Sequence, residues 1–318
     1  MLAVPPLGVY NADMDTSNSP ENRNVYMKPW PDLERYARSV ELSSGGDTLF
    51  LYDTGSGPAG APAVVMVHGL GDEADSWRHI IPLVAPWHRV IALDLPGFGR
   101  SKIRGPSTLK KHAAAVRTAA GLFEGPGVLA GSSMGAVIAE TAAFADPVKF
   151  PGTVLFDGCF PASSGLPAGL GLMALPALGK KWYRAFRSDP DAAYRSLEPY
   201  YRDLSALPEA DRTFLRERVM DRVESRLQER GYFSSLRSLI GTYLFSGPRY
   251  GKFAASYPGK MLLLWGEDDR VMPRDASGKL REIRPDAGFE LIPNAGHLPQ
   301  QDNPAAAAEK ILGFIRRL

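Results

Sequence analysis

The sequence predicts an α/β protein, a mainly parallel eight-stranded sheet with helices on both faces and a helical segment inserted late in the chain. Three observations carry this. Short continuous apolar runs, such as "AVVMV" at 63–67 and "GTVLF" at 152–156, have the length and character of strands buried on both faces. Helical patterns fall between the later runs, which is the rhythm of alternating β and α units. Between about 160 and 255 no buried strand is evident, a gap far longer than an ordinary connection.

Residues 1–38 are rich in Pro, Asn and Asp, lack periodicity, and read as an N-terminal arm lying on the surface or partly disordered. Strands are then expected at about 39–43, 48–53 ("TLFLYD"), 63–67, 89–93, 127–130, 152–156, 260–265 and 287–292. Helices are expected at about 74–84, 108–122, 133–145, 275–284 and 303–317. Inside the insertion, helix-like stretches run over about 177–187, 190–203, 208–229 and 232–245. Their aromatic residues, Trp182, Tyr183, Phe186, Tyr194, Tyr200 and Tyr201, read as the core that such an insertion needs for itself. The mixed charges of "DRTFLRERVMDRVESRLQER" at 211–230 read as a solvated helix face.

Composition narrows the function. The chain has 318 residues, 44% of them hydrophobic, and a formal charge of +2 from 37 basic and 35 acidic residues mixed along its length. No polybasic block of the kind that tracks phosphates is present, so nucleic acid is not an expected partner. The N-terminus has no basic start and does not read as a secretory signal. No window approaches the roughly 18 apolar residues of a membrane helix, and a soluble, cytoplasmic protein is expected. The single cysteine, Cys159, excludes an internal disulfide framework and reads as a small buried packing residue. No cluster of His and carboxylates appears at metal-ligand spacing, and no cofactor is expected. "PGFGRS" lacks the third glycine of a dinucleotide fingerprint.

The chemistry centres on "VLAGSSMGAVIAE" at 128–140. If "GVLA" is a strand and "MGAVIAE" opens a helix, the chain reverses within two or three residues and Ser133 stands exposed at the apex. Gly131 and Gly135 lack the Cβ atoms that would collide there. A serine at a helix N-terminus sits where backbone N–H groups favour developing negative charge. It still needs a base and a group to orient that base. His297, in "PNAGHLPQQDNP" after the last strand, lies at a strand end where sites of open α/β sheets gather, whereas His79, His88 and His112 fall in or beside helices. "LLLWGEDDRVMP" offers Glu267, Asp268 and Asp269 after another strand. The order serine, acid, histidine is the one this kind of fold uses. The two oxyanion donors are expected from the N–H groups of Met134 and Leu70, the latter in "HGLGD", with Gly69 and Gly71 giving that loop its freedom. His68, directly after its strand, is read as holding the loop.

With these pieces placed, residues 39–318 resemble the α/β-hydrolase fold family. "HGLGD", "DLPGFGRS", "GSSMG", "GEDDRVMP" and "AGHLPQQDNP" carry the resemblance. It implies Asp269 as the acid, from its spacing in G-x-x-D-x-x-x-P, with Asp268 as runner-up and Asp157, after the sixth strand, as a further alternative. It also implies a core of 39–159 and 256–318 with the insertion at 160–255 as a cap that sets substrate choice. Serine at the apex argues against epoxide hydrolases and haloalkane dehalogenases, which carry aspartate there, and Met134 departs from the Trp of prolyl aminopeptidases.

The leading expectation is a serine hydrolase of small to medium carboxylic esters, working through an acyl-enzyme of Ser133 on a small-molecule ester or related acyl substrate. A carbon–carbon bond hydrolase or acyltransferase of the same fold is the alternative. A ligand-binding hydrolase-like receptor with negligible turnover is the alternative of another class. Oligomeric state is not legible.

Overall fold

The computed structural model describes residues 9–10, 27–42, 46–102, 104–163 and 168–318. One sheet holds β1 (Val9–Tyr10), β2 (Ala37–Leu42), β3 (Asp47–Asp53), β4 (Ala63–Val67), β5 (Val90–Leu93), β6 (Gly127–Ser132), β7 (Gly152–Phe156), β8 (Lys260–Gly266) and β9 (Gly288–Ile292). The spatial order is β1-β2-β3-β5-β4-β6-β7-β8-β9. The pairs β1–β2, β2–β3 and β3–β5 are antiparallel, and all pairs from β5 to β9 are parallel. The mainly parallel sheet is as expected, with one strand more than the expected eight. That strand, β1, has two residues, too few to leave an alternating pattern in the sequence.

Of the segment read as a surface arm, residues 1–8 and 11–26 lie outside the described residues. The part from residue 27 onward is docked. Met27 and Leu33 are buried, and the Trp30 amide donates to Tyr52 Oη at 3.1 Å and to Asp75 Oδ1 at 3.0 Å.

Helices cover both faces: α1 (Ile81–Val84), α2 (Leu109–Ala120) and α3 (Met134–Ala145) before the insertion, six more within it, and α10 (Gly278–Ile283), α11 (Pro299–Asp302) and α12 (Pro304–Ile315) after it. Side chains of a strand alternate between its two faces. On β4, Val65 and Val67 join a core with Val116 of α2 and Val137 of α3, while Val64 and Met66 join another with Val84 of α1 and Ile311 of α12. A strand that feeds two dry cores must be apolar at every position, which is why "AVVMV" is unbroken.

The insertion consists of α4 (Ala168–Met173), α5 (Pro176–Ala185), α6 (Pro190–Arg195), α7 (Glu209–Glu224), α8 (Arg226–Phe245) and α9 (Gly247–Ser256), with no strand among its described residues. The sequence reading had no counterpart for α4 or α9, whose glycines weaken the helical pattern. It also placed a break near Gly231, which in fact lies inside α8. The α7–α8 junction is Ser225, whose side chain caps α8 by accepting from the Gln228 amide. Gly231 is a contact position, since a Cβ there would overlap the carbonyl oxygen of Gly97 in the core. The aromatic residues divide: Tyr194 and Tyr201 pack with Leu204, Leu215 and Val219, and Tyr183 packs with Val223 and Phe233, but Trp182 is exposed.

The solvated face expected for 211–230 is present in Arg212, Arg216, Glu217, Glu224 and Arg230, which are exposed, but it does not account for all the charges of the segment. Asp211, Arg218 and Arg222 of α7 are buried against the loop that follows β4. Glu73, fully buried, meets Arg218 Nε at 2.9 Å and Arg222 Nη2 at 2.9 Å, and Arg222 Nη2 also donates to Asp72 at 2.5 Å. Arg78 Nε donates to Asp211 at 2.7 Å. Each charge finds its opposite across the interface, a pairing that depends on the tertiary fold and leaves no local signature. No helix of the described residues is long and apolar enough to cross a membrane.

These buried pairs should matter to stability. Glu73→Ala leaves Arg218 and Arg222 without their shared carboxylate and is expected to destabilise the protein by about 3–5 kcal/mol in urea titrations followed by circular dichroism. A loss below about 1 kcal/mol, the range of an exposed pair, would show that the insertion is held by other contacts.

Candidate active site

Ser133 is the one residue between β6 and α3, and its backbone sits at φ 55°, ψ −116°. A side chain rarely takes that conformation, so the surroundings must hold it there. Three glycines do so. A Cβ on Gly131 would overlap the carbonyl of Gly135, and a Cβ on Gly135 would overlap the carbonyl of Val67, so β6, α3 and β4 meet backbone to backbone. The third, Gly158 after β7, was not anticipated; its Cβ would lie 2.5 Å from the Ser133 carbonyl oxygen and 2.8 Å from its Cα. The Ser133 amide also donates to the Phe156 carbonyl at 2.8 Å, tying the elbow to β7. Ser133 alone among residues 127–140 is not buried.

The candidate acid and base follow β8 and β9, two and three strands along the sheet from β6. His297 Nδ1 donates to Asp269 Oδ2 at 2.9 Å, and both side chains are almost fully buried. Asp269 Oδ1 accepts the amides of Val271 at 2.7 Å and Met272 at 3.0 Å. Burial pushes this carboxyl up, but the hydrogen bond and charge of His297 and the two amides outweigh it and hold it below its ordinary value. With Nδ1 donating to a carboxylate, Nε2 carries the lone pair. Asp268, the runner-up, is exposed and pairs with Arg202 at 2.9 Å, while Glu267 is also exposed. The bond not formed is that from Ser133 Oγ to His297; the two residues meet instead through the 157–158 turn, Gly158 against Ser133 and Asp157 beside His297. Such bonds often tighten only when substrate is bound.

The loop after β4 borders Ser133. A Cβ on Gly69 would stand 3.4 Å from Ser133 Cβ, and one on Gly71, at φ 81°, would stand 3.3 Å from the Tyr232 ring. The Leu70 N–H donates to no acceptor among the described residues, and the Met134 N–H, first in α3, has no intrahelical acceptor. His68 is held at both nitrogens: Nδ1 donates to the Gly69 carbonyl at 2.7 Å and Nε2 accepts from the Leu95 amide at 2.9 Å. It has no lone pair left for proton transfer, and burial pushes its pKa down. His112 is buried with Nε2 against Ser235 Oγ at 2.8 Å and is pushed down to about 3 by burial. His79 pairs with Asp211, and His88 Nδ1 donates to the Pro62 carbonyl.

One oxygen each of Asp157 and Asp269 and one nitrogen of His297 lie within 4.8 Å of one another, a trio the linear spacing did not disclose. A cation there would have to displace the His297–Asp269 hydrogen bond. Leu70, Tyr232, Tyr243 and Val271 pack on the core that holds Met134, Cys159 and Phe160, and the Tyr200 ring stands 5.9 Å from that of His297. The arrangement joins a half-buried serine at a helix start, an oriented imidazole and two free amides, which are the parts of nucleophilic acyl transfer.

The family model described as the alpha/beta hydrolase family matches residues 64–310. A 2-hydroxy-6-oxononadienedioate/2-hydroxy-6-oxononatrienedioate hydrolase of Burkholderia vietnamiensis is 27% identical over 287 residues, covering 88% of this chain and 96% of that protein. Its namesake from Klebsiella pneumoniae is 28% identical over 292 residues, covering 88% and 96%. The solved structure of 2-hydroxy-6-oxo-6-phenylhexa-2,4-dienoate hydrolase from a Rhodococcus species aligns with a TM-score of 0.67 at 21% identity, over 88% of this chain and 99% of that one, a likeness of fold.

The elbow's geometry is open to test. Gly135→Ala sets a methyl group against the Val67 carbonyl and is expected to cost about 3 kcal/mol or more of stability, read from the urea midpoint. A variant as stable as the wild type would mean that β4 and α3 are not in backbone contact.

Proposed function

Because the chain belongs to the alpha/beta hydrolase family, we propose that it is a serine hydrolase that breaks a carbon–carbon bond beside a ketone, in a small molecule of the 2-hydroxy-6-oxodienoate class. The observation that carries this is the agreement of relatives from several organisms, named as hydrolases of such compounds, with 96% of the length of the Burkholderia vietnamiensis and Klebsiella pneumoniae proteins matched. They support carbon–carbon cleavage better than the ester cleavage that sequence alone put first.

In this reading Ser133 Oγ adds to the C6 ketone as His297 Nε2 takes its proton. Asp269 keeps the imidazole in the right tautomer and stabilises the imidazolium, and the Leu70 and Met134 N–H groups receive the oxyanion. In the 2-oxo tautomer of the substrate, C5 is saturated. When the C5–C6 bond breaks, its electron pair spreads through the C3–C4 double bond to the C2 oxygen, which takes the proton from His297. A 2-hydroxydienoate leaves and C6 remains as the acyl group on Ser133. Water, deprotonated by His297, then releases the acid. The insertion over 160–255 is the cap in this account.

One observation favours ester hydrolysis as the second reading. Two insertion arginines that face the core, Arg218 and Arg222, are already paired with Glu73 and so are not left to receive a charged substrate group. Leu70, on the loop beside Ser133, and Tyr232, against Gly71 of the same loop, are apolar and phenolic, which suits an uncharged acyl group.

The deciding assay offers wild type a 2-hydroxy-6-oxodienoate, followed by loss of its conjugated absorbance, beside p-nitrophenyl esters from acetate to palmitate. Consumption of the dienoate is expected, falling about 10⁵–10⁶-fold in Ser133→Ala. Turnover of esters alone would select the second reading. Saturable binding with no turnover of either would return the protein to the ligand-binding class.

The same assay separates the acids. Asp269→Asn is expected to lower kcat about 10⁴-fold through the wrong imidazole tautomer. Asp268→Asn, which removes an exposed pair, should stay within about twofold of wild type. Comparable losses in both variants would overturn the assignment of Asp269.

A further inference from the structure

Asp157 is the buried group that this mechanism leaves unused. It follows β7, is completely buried, and holds its backbone at φ 48°. Its Oδ1 accepts the Gly266 amide at 2.8 Å, which fixes the start of the loop carrying Asp269. Its Oδ2 has no N–H or hydroxyl donor among the described residues, and a carboxylate oxygen of Asp269 lies within 4.8 Å of the carboxyl. Two buried carboxylates this close do not both ionise.

Counting donors says which of them keeps the proton. Asp269 accepts three, from His297 Nδ1 and the Val271 and Met272 amides, whereas Asp157 accepts one, from Gly266. The negative charge belongs where the donors are. Burial, with the charge of Asp269 added to it, pushes the Asp157 carboxyl well above the ordinary range. The other groups nearby do not reverse this. Asp302 is occupied by the Gly296 and Arg202 amides, Arg202 pairs with Asp268, and Arg270 donates to the carbonyls of Glu198, Tyr201 and Arg202. From the insertion, Tyr200 presents its ring to His297. No Lys or Arg ion-pairs with Asp157, Asp269 or His297 among the described residues.

We propose that Asp157 is a positioning residue, a neutral carboxylic acid that donates its proton in a hydrogen bond to Asp269 and so fixes the carboxylate on which His297 turns. The kinetic part rests on the serine-hydrolase reading above; the protonation state does not. Its effect is twofold. The donor locks the orientation of Asp269, and it draws off part of the charge that would otherwise hold the imidazolium too tightly.

Two variants separate this role from simple packing. Asp157→Asn keeps an acceptor for Gly266 and a donor for Asp269, whereas Asp157→Ala keeps neither. Infrared difference spectra of wild type minus Asp157→Asn at pH 7 are expected to show the carbonyl stretch of an un-ionised carboxylic acid; carboxylate bands in its place overturn the proposal whatever the protein hydrolyses. In turnover, Asp157→Asn should remain within about threefold of wild-type kcat with the acidic limb of the pH profile unmoved. Asp157→Ala should lose about tenfold or more in kcat with little change in KM, and its acidic limb should move to higher pH, because an unshared Asp269 charge holds the imidazolium proton longer. Equal losses in the two variants with unmoved limbs would mean a packing role and overturn the proposal. So would a limb that falls in Asp157→Asn, the mark of a negative charge removed from beside His297. If Ser133→Ala keeps its turnover, the hydrolase reading fails while the infrared result still judges Asp157.

Discussion

The backbone turn at Ser133 is the constraint from which the rest of the site follows. A parallel strand delivers the chain to the sheet's edge and a helix must leave at once, which forces a non-glycine residue to φ 55°. That conformation persists because three neighbouring strands press on it: β6 itself, β4 through Gly135, and β7 through Gly158. The same pressure turns the serine outward beside the loop after β4 and the turn after β7. Strain and partial exposure have a single cause, and β8 and β9 bring the candidate acid and base to the same edge.

The insertion is coupled to that edge by charge. Glu73 lies three residues beyond Leu70, so the arginines of α7 that pair with Glu73 also bear on the loop offered as an oxyanion donor. Buried ion pairs of this kind are weak sources of net stability but strong determinants of register, since a displaced partner leaves a charge without compensation. In the proposed reading, an insertion docked in this way bears on the candidate oxyanion loop and on whatever binds beside Ser133 together.

Much of this was legible in the sequence. β4 and β7 have the bounds that their largely apolar runs indicate, because strands buried on both faces are apolar at nearly every position. Ser133, Asp269 and His297 were legible because each follows a strand end marked by glycine or proline. What was not legible is long-range. The pairings of Arg218 and Arg222 with Glu73, the contact of Gly158 with Ser133, and the approach of Asp157 to Asp269 join residues far apart in the chain and leave no period or motif. Gly231 read as a breaker because a glycine serving a close contact looks the same in sequence as one that ends a helix. The choice between ester and carbon–carbon bond was not legible either, because no motif in the sequence encodes it.

The account stands on Ser133 being a nucleophile activated by His297. The most direct measurement is peptide mapping by mass spectrometry after exposure of the folded protein to a fluorophosphonate. One adduct on Ser133, absent from Ser133→Ala and strongly slowed in His297→Gln, is the result predicted. An unlabelled wild type, or labelling at Ser133 that proceeds equally fast without His297, would contradict it.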